Sequence, residues 1–216
     1  MPFALYVFDL DGTLVDSRRD LAESANELLR LSGAWPLPEE DIGRMVGDGA
    51  TVLVARIFAA SGIAQPPDAL GRFLAIYEGR LLNHTQPYSG IRDTLDALVE
   101  RARLAVLTNK PIAATRRILA GLRLNRYFDA SFVIGGDGPF PRKPDPSGLR
   151  HLAATAATTA ASTLFVGDSV IDWRTAKHAG TAICLARYGF GFEGVPRDAL
   201  SPSECIIDDP TALLAM

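Results

Sequence analysis

A chain of 216 residues, 48% hydrophobic and 22% charged, holds apolar material for one substantial core carrying at most a small inserted module. Its formal net charge of −3 excludes a surface built for nucleic acid, and no apolar run reaches membrane-spanning length. The start, MPFALYVFD, lacks the basic and small-residue features of an export signal, so a cytoplasmic location is expected.

In chain order, the first strand is predicted at residues 4–9 (ALYVFD), a short run of apolar and β-branched residues. Residues 17–83 then hold three amphipathic segments, at about 17–31, 40–61 and 67–83, with no strand candidate between them. This predicts an all-helical insert, hinged near Asp16–Ser17 and at Thr85–Gly90, where TQPYSG concentrates turn chemistry. From about residue 90 the pattern becomes an alternation, with strands predicted at 104–109, 131–136, 163–168, 181–186 and 204–208. Between the insert and the first of these, a helix over 91–102 gathers Ile91, Leu95, Leu98, Val99 and Ala102 on one face. The alternation implies βαβ units, a parallel sheet and the α/β class.

Ligands of an open parallel sheet bind beyond the carboxyl ends of its strands. Polar residues recur there: Asp9, Asp11, Gly12 and Thr13 after the first strand, Thr108 and Asn109 after the second, Lys143 shortly after the third, and Asp168 with Ser169 after the fourth, with Asp172 close behind. Asp9 and Asp11, two apart at a strand end, project the same way, and Gly12 lets the backbone approach a ligand. An isolated D-x-D pair equally describes a helix cap; the other strand ends make it a site. Four carboxylates opposed by Lys143 alone would repel a phosphate, so a divalent cation is required. Oxygen donors without a nearby histidine or cysteine point to Mg²⁺. If Asp168 and Asp172 share one face of the next helix, Asp172 is expected to support the site by orienting Lys143.

Other chemistry-bearing residues read as structural. Cys184 and Cys205 lie in apolar runs without metal spacing. His84, His151 and His178 are scattered without partners, and Gly135-Gly136-Asp137-Gly138 lacks the lysine and hydroxyl of a phosphate loop, leaving a turn. Nineteen of the 22 basic residues are arginine; the lysines are Lys110, Lys143 and Lys177.

Taken together and in this order, the four motifs resemble those of the haloacid dehalogenase-like superfamily of phosphatases. Asp9 and Asp11 match the first, Thr108 the second, Lys143 the third, and Asp168 with Asp172 the fourth. The resemblance implies a Rossmann-like parallel-sheet core of residues 1–16 and 87–216, with an inserted all-helical cap domain at 17–86. It also implies a phosphoaspartyl route, with Asp9 as nucleophile and Asp11 as general acid and then base. Mg²⁺ is expected on Asp9, Asp11 and Asp168, while Gly12, Thr13, Thr108, Asn109 and Lys143 hold the phosphoryl group. Asp11 tells against a dehalogenase, and the absence of lysine from residues 1–109 tells against a phosphonate hydrolase that uses a cap lysine.

The segments IGRMVGDGATVLVAR, TNKP and YGFG (188–191) resemble the phosphoglycolate phosphatase group, which implies a small phosphorylated metabolite, 2-phosphoglycolate first, as substrate. The loop Gly47, Asp48 and Gly49, followed by Leu53, would offer backbone amides to the substrate carboxylate, with Arg44 as the alternative partner. Trp173 departs from the smaller residues expected beside Asp172, which implies a reshaped edge of the site. A phosphomutase, a broad sugar-phosphate or nucleotide phosphatase, and an inactive binding module stay open, as do monomer and homodimer.

Overall fold

The computed structural model describes residues 3–201 and 204–216. Its elements in chain order are β1 (Leu5–Phe8), β2 (Val15–Asp16), α1 (Arg18–Leu31), α2 (Glu39–Met45), α3 (Ala50–Ser61), α4 (Ala69–Glu78), β3 (Gln86–Pro87) and α5 (Ile91–Val99). Then come β4 (Arg103–Leu107), α6 (Ile112–Gly121), β5 (Val133–Ile134), α7 (Ser147–Thr155), β6 (Thr163–Gly167), α8 (Val170–Ala179), β7 (Ala182–Ala186) and β8 (Cys205–Ile207).

Six strands form one parallel sheet in the order β5-β4-β1-β6-β7-β8. β1 (LYVF) is buried throughout, as an unbroken apolar run must be when helices cover both faces of a parallel sheet. Its side chains alternate between two cores. Tyr6 and Phe8 join Ile91, Leu95 and Leu98 of α5, whereas Leu5 and Val7 join Leu149 and Leu152 of α7 and Ala176 of α8. Phe8 is in register with Val106 of β4 and Val166 of β6, so these three central strands end level with one another. The α/β reading holds. The strands are shorter than the sequence runs; in β1, β4, β6 and β8 the polar residues closing the run belong to the loop that follows.

The expected all-helical insert is present, with four helices where the sequence suggested three segments. Val46–Gly49 splits the second segment, since Gly47 (φ 124°) and Gly49 (φ 92°) adopt backbone that ends α2 and restarts the chain as α3. The chain enters and leaves the insert through the antiparallel ribbon β2-β3, with Val15 opposite Pro87 and Asp16 opposite Gln86. A buried carboxylate fastens this neck. Asp20 on α1 accepts hydrogen bonds from the His84 and Thr85 amides (3.0 and 2.8 Å) and from the Thr85 hydroxyl (2.7 Å). Among the described residues, no helix is long and apolar enough to cross a membrane.

Candidate active site

Because the central strands end level, the loops after β1, β4 and β6 open onto one crevice at the carboxyl edge of the sheet. Asp9, Thr108, Asn109, Lys143, Asp168 and Asp172 are all buried there. The Lys143 ammonium stands between two carboxylates, 2.8 Å from Asp9 and 2.6 Å from Asp172. Burial works against this ammonium, but Asp172 and Asp9 outweigh it and raise its pKa, so the lysine stays charged.

Asp172 reaches Lys143 from the third position of α8. Its other oxygen accepts from the Ser169 amide and hydroxyl (3.0 and 2.6 Å), and Ser169 caps the same helix. Asp168 lies before the helix, at the end of β6, so the two carboxylates are not stacked along one helical face as the spacing suggested. Asp172 is thus engaged by Lys143 and by the cap of α8.

Asp9, Asp168 and Asp172 place one oxygen each within 4.8 Å of one another. Burial pushes the Asp9 carboxyl up to about 7 against the pull of Lys143, and burial with the charges of Asp172 and Asp9 raises Asp168 well above the ordinary range. Asp9 Oδ1 is buried and makes no hydrogen bond of good geometry, though Lys143 stands beside it. A crowded cluster of hard oxygen donors from three buried carboxylates suits a divalent cation.

Two glycine-bearing loops press on Asp168. A Cβ on Gly12 would lie 2.0 Å from Asp168 Oδ2, and one on Gly189 would lie 2.2 Å from the Gly12 carbonyl and 2.3 Å from Asp168 Cβ. The Gly191 amide donates to Asp168 Oδ2 (2.8 Å), the Thr13 hydroxyl to Oδ1 (3.4 Å), and the Tyr188 hydroxyl to the Thr13 carbonyl (3.1 Å). YGFG is thus a clamp on the carboxylate. Thr13 is fully buried in that clamp instead of facing a phosphate.

Asp11 is placed differently from the expected metal set. Its two oxygens each lie 2.9 Å from Lys110 Nζ, and Oδ1 also accepts from the Ser17 hydroxyl (2.5 Å), leaving it outside the Asp9–Asp168–Asp172 cluster. Lys110 corrects the charge count: the crevice holds two buried ammonium groups, not Lys143 alone. Lys110 was within reach of the sequence, as one of three lysines and the residue directly after Thr108-Asn109.

A cavity of about 230 Å³ lies between these loops and the helical insert. Asp9, Asp11, Thr108, Asn109 and Lys110 line it from the sheet, and Gly47, Gly49, Leu53, Phe73 and Tyr77 from the insert. Thr108 Oγ1 accepts from the Lys110 amide (3.2 Å), which fixes the loop. The Asn109 amide donates to the Gly47 and Lys143 carbonyls (2.9 and 3.0 Å) and accepts from the Lys143 amide (2.9 Å). Both its protons are used, so Asn109 joins the insert to the Lys143 loop and has none free for a phosphoryl oxygen.

Two expectations for the insert and its surroundings change, those for Arg44 and Trp173. Arg44 lies outside this cavity, paired with Asp41 (2.8 Å) and Glu193 (2.9 Å) at the surface. The Asp48 carboxylate pairs with Arg56 (2.6 Å), while Gly47 and Gly49 of the same loop line the cavity. Trp173 donates to Glu204 (2.7 Å) and packs in the second core, away from the cavity. As expected, Gly135–Gly138 forms a turn, and its Asp137 accepts from the Ile112 amide opening α6 (2.7 Å). Cys184 and Cys205 face each other in register across β7 and β8 as free thiols.

The family profile described as haloacid dehalogenase-like hydrolase matches residues 6–186. The chain belongs to that family. It is 43% identical over 205 residues to a phosphoglycolate phosphatase of Rhodospirillum rubrum, a match that covers 90% of this chain and 83% of the relative. A phosphoglycolate phosphatase of Cereibacter sphaeroides is 41% identical over 191 residues, with 85% of each chain covered. The crystal structure of a predicted phosphoglycolate phosphatase from Haemophilus somnus superposes with a TM-score of 0.90 at 31% identity, covering 99% of this chain and 97% of that one.

Proposed function

We propose that this phosphoric monoester hydrolase cleaves 2-phosphoglycolate to glycolate and phosphate, with Mg²⁺, through a phosphoaspartyl intermediate. The observation that carries the reading is the convergence of Asp9, Thr108, Lys143 and Asp168 from separate strand ends onto one crevice, beside a small cavity roofed by the insert. The named relatives support the choice of ester. Residues 1–16 and 87–216 form the catalytic core in this reading, and 17–86 the cap that excludes water.

An oxygen of Asp9 attacks phosphorus while the bond to the leaving oxygen breaks, and Asp11 delivers a proton to that oxygen. Water, deprotonated by Asp11, then attacks the acyl phosphate; inorganic phosphate leaves and the Asp9 carboxylate is restored. Lys143, beside Asp9, offsets the charge of the phosphoryl oxygens, and the Thr108 hydroxyl donates a hydrogen bond to one of them. Asp9 and Asp168 would hold Mg²⁺, while Asp172 keeps Lys143 in place. The cation supplies charge neutralisation at the phosphoryl group.

The test is hydrolysis of a panel of phosphate esters with Mg²⁺ or EDTA, alongside Asp9→Asn. Activity is expected to require the metal, to fall at least about 10³-fold in the mutant, and to favour 2-phosphoglycolate by kcat/KM. An active Asp9→Asn protein refutes the mechanism. A panel in which another ester clearly outranks 2-phosphoglycolate refutes the substrate and points to a broader phosphatase.

A further inference from the structure

Arg44 turns away from the cavity, which leaves the second anionic group of the proposed substrate without the cationic partner the sequence suggested, although Gly47 and Gly49 line the wall. Of the cationic side chains lining the cavity, Arg117 is half exposed and paired with Glu78 (2.7 Å), whereas Lys110 is buried. The Lys110 ammonium carries three protons, and its bonds to the two Asp11 oxygens use two of them.

The insert brings a second polar group to the same place. Lys110 Nζ lies 4.6 Å from the centroid of the Tyr77 ring, near enough to act on it electrostatically. The Tyr77 hydroxyl is buried and makes no hydrogen bond of good geometry among the described residues, the Lys110 ammonium being the group that acts on it. A buried hydroxyl left unmade costs free energy, and both side chains line the cavity, whose remaining wall there is mainly apolar. Burial also pushes the Tyr77 phenol up to about 12, so it remains a donor.

We propose that Lys110 and Tyr77 form the carboxylate subsite: the substrate's carboxylate sits against the Lys110 ammonium and accepts from the Tyr77 hydroxyl, whose proton has no acceptor of good geometry among the described residues. This deepens, and rests on, the phosphoglycolate reading. Lys110 follows β4 and Tyr77 belongs to α4 of the insert, so a carboxylate held by both ties the insert to the sheet over the reacting phosphate. An ester ending in a neutral hydroxyl can accept a hydrogen bond there but brings no negative charge to the ammonium. Selection by charge follows, at a point adjoining Asp11.

The experiment compares kcat/KM for 2-phosphoglycolate with that for 2-hydroxyethyl phosphate, which replaces the carboxylate by a neutral group, in wild type, Lys110→Met, Lys110→Arg and Tyr77→Phe. Wild type is expected to favour 2-phosphoglycolate about 10²-fold or more. Lys110→Met is expected to shrink that ratio at least about tenfold, and Lys110→Arg to restore most of it. Tyr77→Phe should raise KM for 2-phosphoglycolate about three- to tenfold more than KM for the neutral ester. A wild type without the preference overturns the substrate reading and the subsite with it. A preference that survives in Lys110→Met, both esters falling by one factor, overturns the subsite alone. If Lys110→Met does not fold, Tyr77→Phe decides, and an unchanged KM ratio overturns the proposal.

Discussion

Gly189 is the position where one methyl group tests the architecture around the buried carboxylate Asp168. An added Cβ would stand 2.2 Å from the Gly12 carbonyl and 2.3 Å from Asp168 Cβ, about 1.2 Å inside the 3.4 Å at which ordinary contact begins. Neither neighbour is a flexible tip: one is backbone, and the other is the root of a buried carboxylate held by the Gly191 amide. Gly189→Ala must therefore displace either the YGFG loop or Asp168. Overpacking of this kind costs about 1–3 kcal/mol, and disturbing the shell around a metal ligand lowers affinity about 10- to 100-fold. The assays are denaturant unfolding in EDTA and a Mg²⁺ titration of phosphatase activity, with Gly194→Ala as control because nothing lies within 4 Å of its Cβ position. If Gly189→Ala matches that control within about 0.5 kcal/mol and saturates with Mg²⁺ at the wild-type concentration, the loop does not position Asp168.

Three further outcomes follow from the same geometry. Asp20→Ala should lower unfolding free energy by about 3 kcal/mol, because it strands the buried amide and hydroxyl of Thr85 and frees the His84 amide; urea denaturation reads this, and a loss below about 1 kcal/mol would contradict the fastened neck. Asn109→Ala frees Gly47 from the Lys143 loop and should lower kcat/KM about tenfold or more through misplacement, seen in steady-state kinetics. Asp9, raised to about 7 from an unfolded value of about 3.9, favours the fold when protonated. That contribution is complete below about pH 4 and is lost as pH rises through about 7, where the ionised carboxylate instead welcomes a cation. The gain in Tm on adding Mg²⁺ should therefore widen from about pH 5.5 to about pH 8, as measured by thermal unfolding; a gain that is flat or shrinks with pH contradicts the assignment.

What the sequence exposes and what it hides divide along the distance over which chemistry is encoded. The β-branched runs and the polar residues that end them are local signals, so the sheet and the positions of Asp9, Thr108, Lys143 and Asp168 could be read before any coordinates. The helix over 40–61 could not be read as two, because periodicity survives across Val46–Gly49 while the positive φ of two glycines breaks the path. Side-chain direction is the harder case. Asp11 shares the strand-end pattern of Asp9, yet Lys110, 99 residues away, takes its carboxylate. Arg44 had the right charge for a carboxylate and lost it to Glu193, 149 residues away. Such pairings depend on tertiary neighbours that no motif spells out, and they bear directly on substrate choice. The motifs alone therefore specify phosphoryl chemistry, while the group beyond the phosphate is selected by contacts such as Lys110 over Tyr77, which exist only once the insert is folded against the sheet.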